Sequence, residues 1–512
     1  MHIGFSLVDY VIVVVYLAGI TVAGVLLTRR QKTSVDYFLG GKALSWWTVG
    51  LSIVATETST LTFISVPGLA YETNMHFLQL AIGYLIGRSI VTVLFIPAYY
   101  RGNLETAYDY LGKRFGISLR KFASSVFIVT RVLASGVRLF ASAIPVHLIT
   151  GFDYPTSILI IGIFTLIYTY LGGLRAVVAM DVIQLVVYLG GAGISMAIIL
   201  NHLPGGWSEV VQTAVAHGVN KLEVFNTSWG GSVGSFLTAP YTLLGSLLGG
   251  TFLTMASHGT DQLLVQRLLS CKSQRESQRA LMLNAGLIVV QFAFFLLLGL
   301  CLYAFYGGAT LQQLGLSSPD EVFPRFIVSS LPTGIAGFVV AAVLASAMGS
   351  LSSSMSSLAS SAYLDLFKEK LSQLRFAAMT ELRWSRLFTA FWGIVLIAGA
   401  MLFTDTRNPV VELGLKIASF TYGGLLGTFL LGILFKFTTE RDGFVGFTAG
   451  IVVMSYVVLF THVDFTWHTL IGCLTTIIAG NVSHKVWNAT VPPERMEVST
   501  IRTQQSEKRG EA

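Results

Sequence analysis

The chain reads as an all-α integral membrane protein of about thirteen transmembrane helices, and three observations carry that reading. Hydrophobic residues make up 53% of the 512, charged residues only 12%, and the mean hydropathy is +0.70, well outside the range of soluble globular domains. Apolar stretches long enough to cross a hydrocarbon core of about 30 Å recur from end to end. Lysine and arginine crowd alternate connections between those stretches, the asymmetry that orients membrane proteins.

The stretches fall at roughly 8–27, 46–71, 77–99, 122–150, 155–172, 178–200, 233–260, 280–305, 326–366, 387–404, 410–435, 443–461 and 465–482. The first has neither a basic n-region nor a small-residue cleavage site, so it reads as a retained helix. No soluble domain interrupts the series, which makes 1–489 one membrane domain. Residues 490–512 are polar and charged and read as a disordered cytosolic tail. Basic clusters such as Arg29, Arg30 and Lys32, Lys113, Arg114 and Arg120, or Arg267, Lys272 and Arg275 fall on one side. The other side holds only Lys221, Arg325 and Arg407. The positive-inside rule then puts the N-terminus outside the plasma membrane and the C-terminus in the cytosol. The net charge of +7 is therefore a topology signal, and the implied partners are lipid and a small solute rather than nucleic acid. Cys271, Cys301 and Cys473 lack metal-ligand spacing, and the chain holds no HExxH, GxSxG or P-loop pattern, so nothing points to an enzyme.

One helix is unusual for lipid. Ser346, Ser350, Ser352, Ser353, Ser354, Ser356, Ser357, Ser360 and Ser361 crowd a single apolar segment, and Ser346, Ser350, Ser353 and Ser357 stripe one face. Such hydroxyls either pack against neighbours or replace the water shell of a small cation. Charges at mid-span cost about 2.5–3.5 kcal/mol each, so each needs a partner, a cavity or a task. Glu57 sits among Thr56, Thr58, Ser59, Thr60 and Thr62 with Pro67-Gly68 following, the pattern of a broken helix. Arg131 and Arg138 lie seven residues apart with Ser135 between them on the same face. Asp181, His258 and Asp261 are further intramembrane polar groups, the last two suited to structural hydrogen bonds. Glu412 and Lys416 have the spacing of an i, i+4 pair, and Trp46 and Trp47 that of interfacial anchors.

These residues sit inside longer motifs. Asp36-Tyr37-Phe38-Leu39-Gly40-Gly41-Lys42 with Trp46-Trp47 resembles the start of the first core helix of the sodium/solute symporter family. Tyr170-Leu171-Gly172-Gly173-Leu174-Arg175 running into Asp181-Val182-Ile183-Gln184, then Gln266-Arg267, Asp365-Leu366-Phe367-Lys368 and Tyr422-Gly423-Gly424-Leu425-Leu426-Gly427 resemble later parts of the same family, in order, over about 8–480. The resemblance implies a LeuT-like core of two inverted five-helix repeats, about 46–200 and 233–435, with one helix before and two after. It implies Na+ as the coupling ion, alternating access as the mechanism and a monomer as the functional unit, with oligomers open. The family's main sodium site maps onto the carbonyls of Ala55 and Thr58, the carbonyl of Ser346 and the hydroxyl of Ser350. Gly349 departs from the pattern, because an adjacent hydroxyl is usual there. A second sodium site found in some members maps onto Asp181, Ser352 and Ser353.

For the solute, the sialic-acid branch of the family implies Ser59 and Thr62 as hydroxyl contacts, with Glu57 replacing a third. The branch's substrate arginine aligns near Ala134, flanked by Arg131 and Arg138, with Ser135 beside them. The stretch Phe95-Ile96-Pro97-Ala98-Tyr99-Tyr100-Arg101 resembles the branch carrying iodide, vitamins and monocarboxylates. Both point to an anion, since guanidinium grips carboxylate bidentately. A sugar symporter and a proton-coupled symporter of the same fold, using Asp181 or Glu57 as carrier, stand as alternatives. A channel would instead pass ions without concentrating a solute.

Overall fold

The computed structural model describes residues 5–26, 31–216, 220–373, 380–403 and 410–490, without the side chains at 410–416, 418, 419 and 488–490. Among the described residues every regular element is helical, apart from one isolated bridge between Leu44 and Cys271. In chain order the main helices are α1 (Leu7–Leu26), α2 (Trp46–Glu57), α3 (Thr60–Glu72), α4 (Phe77–Arg101), α5 (Ile117–Thr150) and α6 (Tyr154–His202). They continue as α7 (Leu243–Gly259), α8 (Gln262–Leu269), α9 (Gln274–Phe305), α10 (Ile335–Ser361), α11 (Glu381–Met401), α12 (Val410–Leu434), α13 (Glu440–Phe460) and α14 (Phe465–Thr490). Each of the thirteen expected spans overlaps one of these helices or a bent pair of them, but those at 233–260 and 326–366 begin in separate short helices, Val233–Thr238 and Val322–Ser330. The tail expected from 490 lies, beyond Thr490 itself, outside the described residues.

Three breaks shape the bundle. The α2–α3 pair is bent by 61°, with Thr58 non-helical and Ser59 extended between them. Thr56 and Thr58 hydroxyls donate back to the Ser52 and Val54 carbonyls at 2.8 Å, the local competition with the helical ladder that bends helices. Pro67 is accommodated about two turns later, inside α3. The second break is at Gly173 of α6. A straight helix of its 49 residues would be about 73 Å long, more than twice a hydrocarbon core. Gly173 turns the chain with φ 57° and ψ −162°, and a Cβ there would lie 2.7 Å from the Tyr37 carbonyl, so only glycine fits. The third break separates α7 from α8 at Thr260–Asp261. Asp261 caps α8 by accepting from the Leu263 N–H at 2.9 Å.

The serine helix α10 lies at the centre, 89% of its apolar window buried against 22% for the peripheral α1. Its N-terminal end is held by Asp9, whose carboxylate accepts the Gly334 and Gly337 N–H groups at 2.7 and 2.8 Å.

Candidate functional site

The broken segment between α2 and α3, the middle of α10 and the start of the second half of α6 meet below Ser346. Thr60 and Ser346 hydroxyls stand 3.2 Å apart. Ser346 and Ser350 donate to the Val343 and Ala347 carbonyls at 2.8 and 3.0 Å, which leaves their lone pairs free to accept or to ligate. Ala55 is buried in the last turn of α2, and its carbonyl points towards Gly349 of α10. Thr58 Oγ1 is fixed from both sides, donating to Val54 and receiving from Gln291. The four residues mapped to the main sodium site thus come from the end of α2, the break that follows it and α10.

Asp181 is differently engaged. Its Oδ2 accepts from Arg267 at 2.9 Å and from Ser52 at 2.5 Å, with Thr56 at 3.5 Å. Arg267 also donates to Ser353 and to the Leu263 carbonyl, and it is fully buried. Ser352 and Ser353 both donate to the Gly349 carbonyl, at 3.0 and 2.7 Å. A guanidinium therefore shares the place mapped to a second sodium ion. Arg267, counted from sequence among the cytosolic-edge charges, is an interior counter-ion.

Two further ion pairs tie the surrounding helices together. Glu57 pairs with Arg88 at 2.5 Å, accepts from Asn284 Nδ2 at 2.8 Å and lies 3.2 Å from His258 Nε2. Arg88 is also tied to Thr254 at 3.2 Å, and His258 Nδ1 lies 3.1 Å from the same hydroxyl. Arg131 pairs with Asp261, and Tyr422 donates to the same carboxylate at 2.6 Å. This group joins α5, the α7–α8 break and α12. Arg138 is the exception. It borders one small cavity with Ser135, Ser142, Ser350 and Ser354, and another with Arg131, Asp261 and Tyr422. Among the described residues it has no ion pair and donates no hydrogen bond. Ser135 donates to Ser354 at 2.9 Å. Ser59 is buried as the N-cap residue of α3, and Thr62 Oγ1 faces the Glu57 carbonyl at 3.5 Å. Among the described residues Glu57, Asp181 and Asp261 each have an arginine partner, and Arg138 has no acid partner.

Residues 37–450 match the sodium:solute symporter family. The chain belongs to this family. Its relatives include the sodium/sialic acid symporter SiaT of Proteus mirabilis, 28% identical over 485 residues, with 94% of this chain and 95% of that protein covered. The sodium-coupled monocarboxylate transporter 2 of Homo sapiens is 29% identical over 466 residues, covering 89% of this chain and 73% of that protein. Among solved structures, a substrate-bound, outward-open sodium-coupled sialic acid symporter matches with a TM-score of 0.84 at 28% identity, over 94% of this chain and 98% of that one. Both the LeuT-like fold and Na+ as coupling ion follow for this symporter.

Sequence reasoning singled out the acids, Asp261 among them, and the α5 arginines of this symporter, but missed the partners of Glu57 and Asp181. Arg88, Arg267 and Asn284 were each readable as groups that Glu57 or Asp181 requires, because a mid-span carboxylate needs a counter-ion. Which arginine serves which acid was not readable, since the pairs lie on different helices. Glu412 and Lys416 lie outside the described side chains.

Proposed function

We propose that this symporter imports a small carboxylate-bearing anion together with sodium, and that Arg138 grips the carboxylate. The single observation behind this reading is the leftover guanidinium. Each described acid at the site already has an arginine, so a substrate anion completes the charge balance of the described residues, whereas a neutral sugar leaves Arg138 uncompensated. The N-terminal end of α3, with Ser59 at its cap, adds a partial positive charge and free N–H groups to the same region. The names of the relatives, a sialic acid symporter and a monocarboxylate transporter, support the same substrate class. Ala55, Thr58, Ser346 and Ser350 hold the main ion, and Ser59, Thr62, Ser135 and Arg138 face the solute. Glu57 and Arg131 position the helices through Arg88 and Asp261.

Sodium coupling suits an anion. Drawing one negative charge into a cell at −100 mV costs about 2.3 kcal/mol. A co-transported sodium ion cancels that work and contributes about 1.4 kcal/mol per tenfold gradient. Alternating access then follows from linkage: sodium bound between α2 and α10 stabilises the outward-open form, and its loss to the cytosol releases the solute inward. The N-terminus is outside and the C-terminus cytosolic in the plasma membrane. A monomer is the transport unit in this reading.

The test is uptake of labelled N-acetylneuraminate, pyruvate and nicotinate into proteoliposomes, with an inward sodium gradient against choline. Sodium-driven accumulation of one anion is the expected result. Accumulation of a neutral sugar only, or of an anion with no need for sodium, would overturn the reading.

A further inference from the structure

Two turns along α5 from Arg138, the fold keeps a second guanidinium beside a cavity. Arg131 and Arg138 both border it, together with Phe127, Asp261 and Tyr422. Seven residues of helix put about 10 Å between the two arginines, and Arg131 is the one nearer the Ile117 end of α5. That end adjoins Lys113, Arg114 and Arg120, on the side proposed to face the cytosol. Arg131 is 5% exposed. Its Nη2 serves Asp261 and meets the Tyr422 hydroxyl at 3.1 Å, but its Nε is buried without a hydrogen-bond partner. An orphaned donor on a buried cation is costly, and the oxygen of an anion removes that cost.

Asp261 engages only part of this guanidinium. Its Oδ1 caps α8 through the Leu263 N–H, and its Oδ2 alone accepts from both Arg131 and Tyr422. The Phe127 ring centre lies 5.7 Å from Arg131 Cζ, a cation–π contact that holds the guanidinium independently of Asp261. We propose that this cavity is a second anion subsite on the exit path, where the solute carboxylate takes the place of Asp261 on Arg131. An anion leaving Arg138 for the cytosol then meets another guanidinium before it meets water. One carboxylate replaces another on Arg131, so that buried cation is never stranded. Asp261 meanwhile keeps the Leu263 N–H and the Tyr422 hydroxyl as donors. Two successive sites also let a firmly held ion leave, which a single strong site does not. This inference rests on the carboxylate reading above, and it gives Arg131 a task beyond fastening helices.

The test uses purified full-length protein and acetate as the probe. Arg138→Ala removes the first site, and adding Asp261→Ala opens a carboxylate-sized gap beside Arg131. Sodium acetate in place of sodium methanesulfonate should raise the unfolding temperature of that double variant saturably, by about 2 °C or more. Asp261→Ser keeps a cap on α8 and answers if Asp261→Ala does not fold. Arg138→Ala alone should show no such rise, nor should Arg138→Ala combined with Arg131→Met and Asp261→Asn. In proteoliposomes, Arg131→Met with Asp261→Asn should keep the solute KM within about threefold while kcat falls about tenfold or more. A fastener with no anion to pass on would leave kcat unchanged. Wild type that accumulates no anion with sodium would sink the carboxylate reading itself. Wild-type uptake with no acetate response in either Asp261 variant, or with kcat unchanged in the Arg131→Met, Asp261→Asn protein, would overturn this inference alone.

Discussion

Arg131 and Arg138 lie about two turns apart on α5, in the same membrane and on nearly the same face, yet their surroundings differ. Arg131 is paired with Asp261 and touches Tyr422. Arg138 faces serine hydroxyls and has no acid of its own among the described residues. In sequence the two are interchangeable. In the fold one is a fastener between α5, the α7–α8 break and α12, and the other is an unsatisfied charge. The availability of an intramembrane cation for substrate is thus decided by counter-ions that arrive from distant segments. Glu57 and Asp181 teach the same lesson with the sign reversed, each being occupied by an arginine.

The largest expected effect comes from breaking the contrast at Arg138. Arg138→Ala should reduce anion kcat/KM at least about 100-fold, the scale of losing a buried charge-assisted contact. Its unfolding temperature should hold or rise, because no protein partner is orphaned. Asp261→Asn does the reverse: it strands Arg131 and should destabilise the fold by about 3–5 kcal/mol, read by thermal unfolding in detergent. Adding Arg131→Met should recover most of that stability, since removing both members of a buried pair is close to neutral. Ser350→Ala sharpens the division between ion and solute. It should raise the sodium half-saturation several-fold while the solute KM at saturating sodium changes less, and an unchanged sodium dependence would move the ion elsewhere. The last effect lies at the periphery. Lys221 donates to the carbonyls of Tyr71, Glu72 and Thr73 at 2.8, 2.9 and 3.0 Å, closing the last turn of α3. Lys221→Met should cost about 1–3 kcal/mol, seen as faster amide exchange at the end of α3 with sodium affinity retained.

Much of the fold was legible because the bilayer imposes a length and a composition on each span. The hydroxyl cluster around Glu57 marked the α2–α3 break, and Gly172-Gly173 lay between two expected spans where α6 turns. The α7–α8 break was not read. Its inner part, Gln262–Leu269, is eight residues and mixes Gln266 and Arg267 with leucines, too short and too polar to register as membrane-buried. For the same reason Arg267 looked like an edge charge, although Asp181 holds it in the interior. Within the site, chemistry was readable residue by residue, as with Arg138, Ser59 and the serine stripe. Pairing was not, because Glu57–Arg88, Asp181–Arg267 and Arg131–Asp261 each join segments far apart in sequence.

The central claim is that an anion supplies the charge Arg138 lacks. Sodium-driven uptake of the transported anion in proteoliposomes, compared between wild type, Arg138→Ala and the double variant Arg131→Met, Asp261→Asn, tests it most directly. The account predicts accumulation in wild type, none in Arg138→Ala, and a measurable fraction in the double variant, whose site keeps its free guanidinium. Undiminished uptake in Arg138→Ala, with transport lost only when Arg131 is removed, would contradict it.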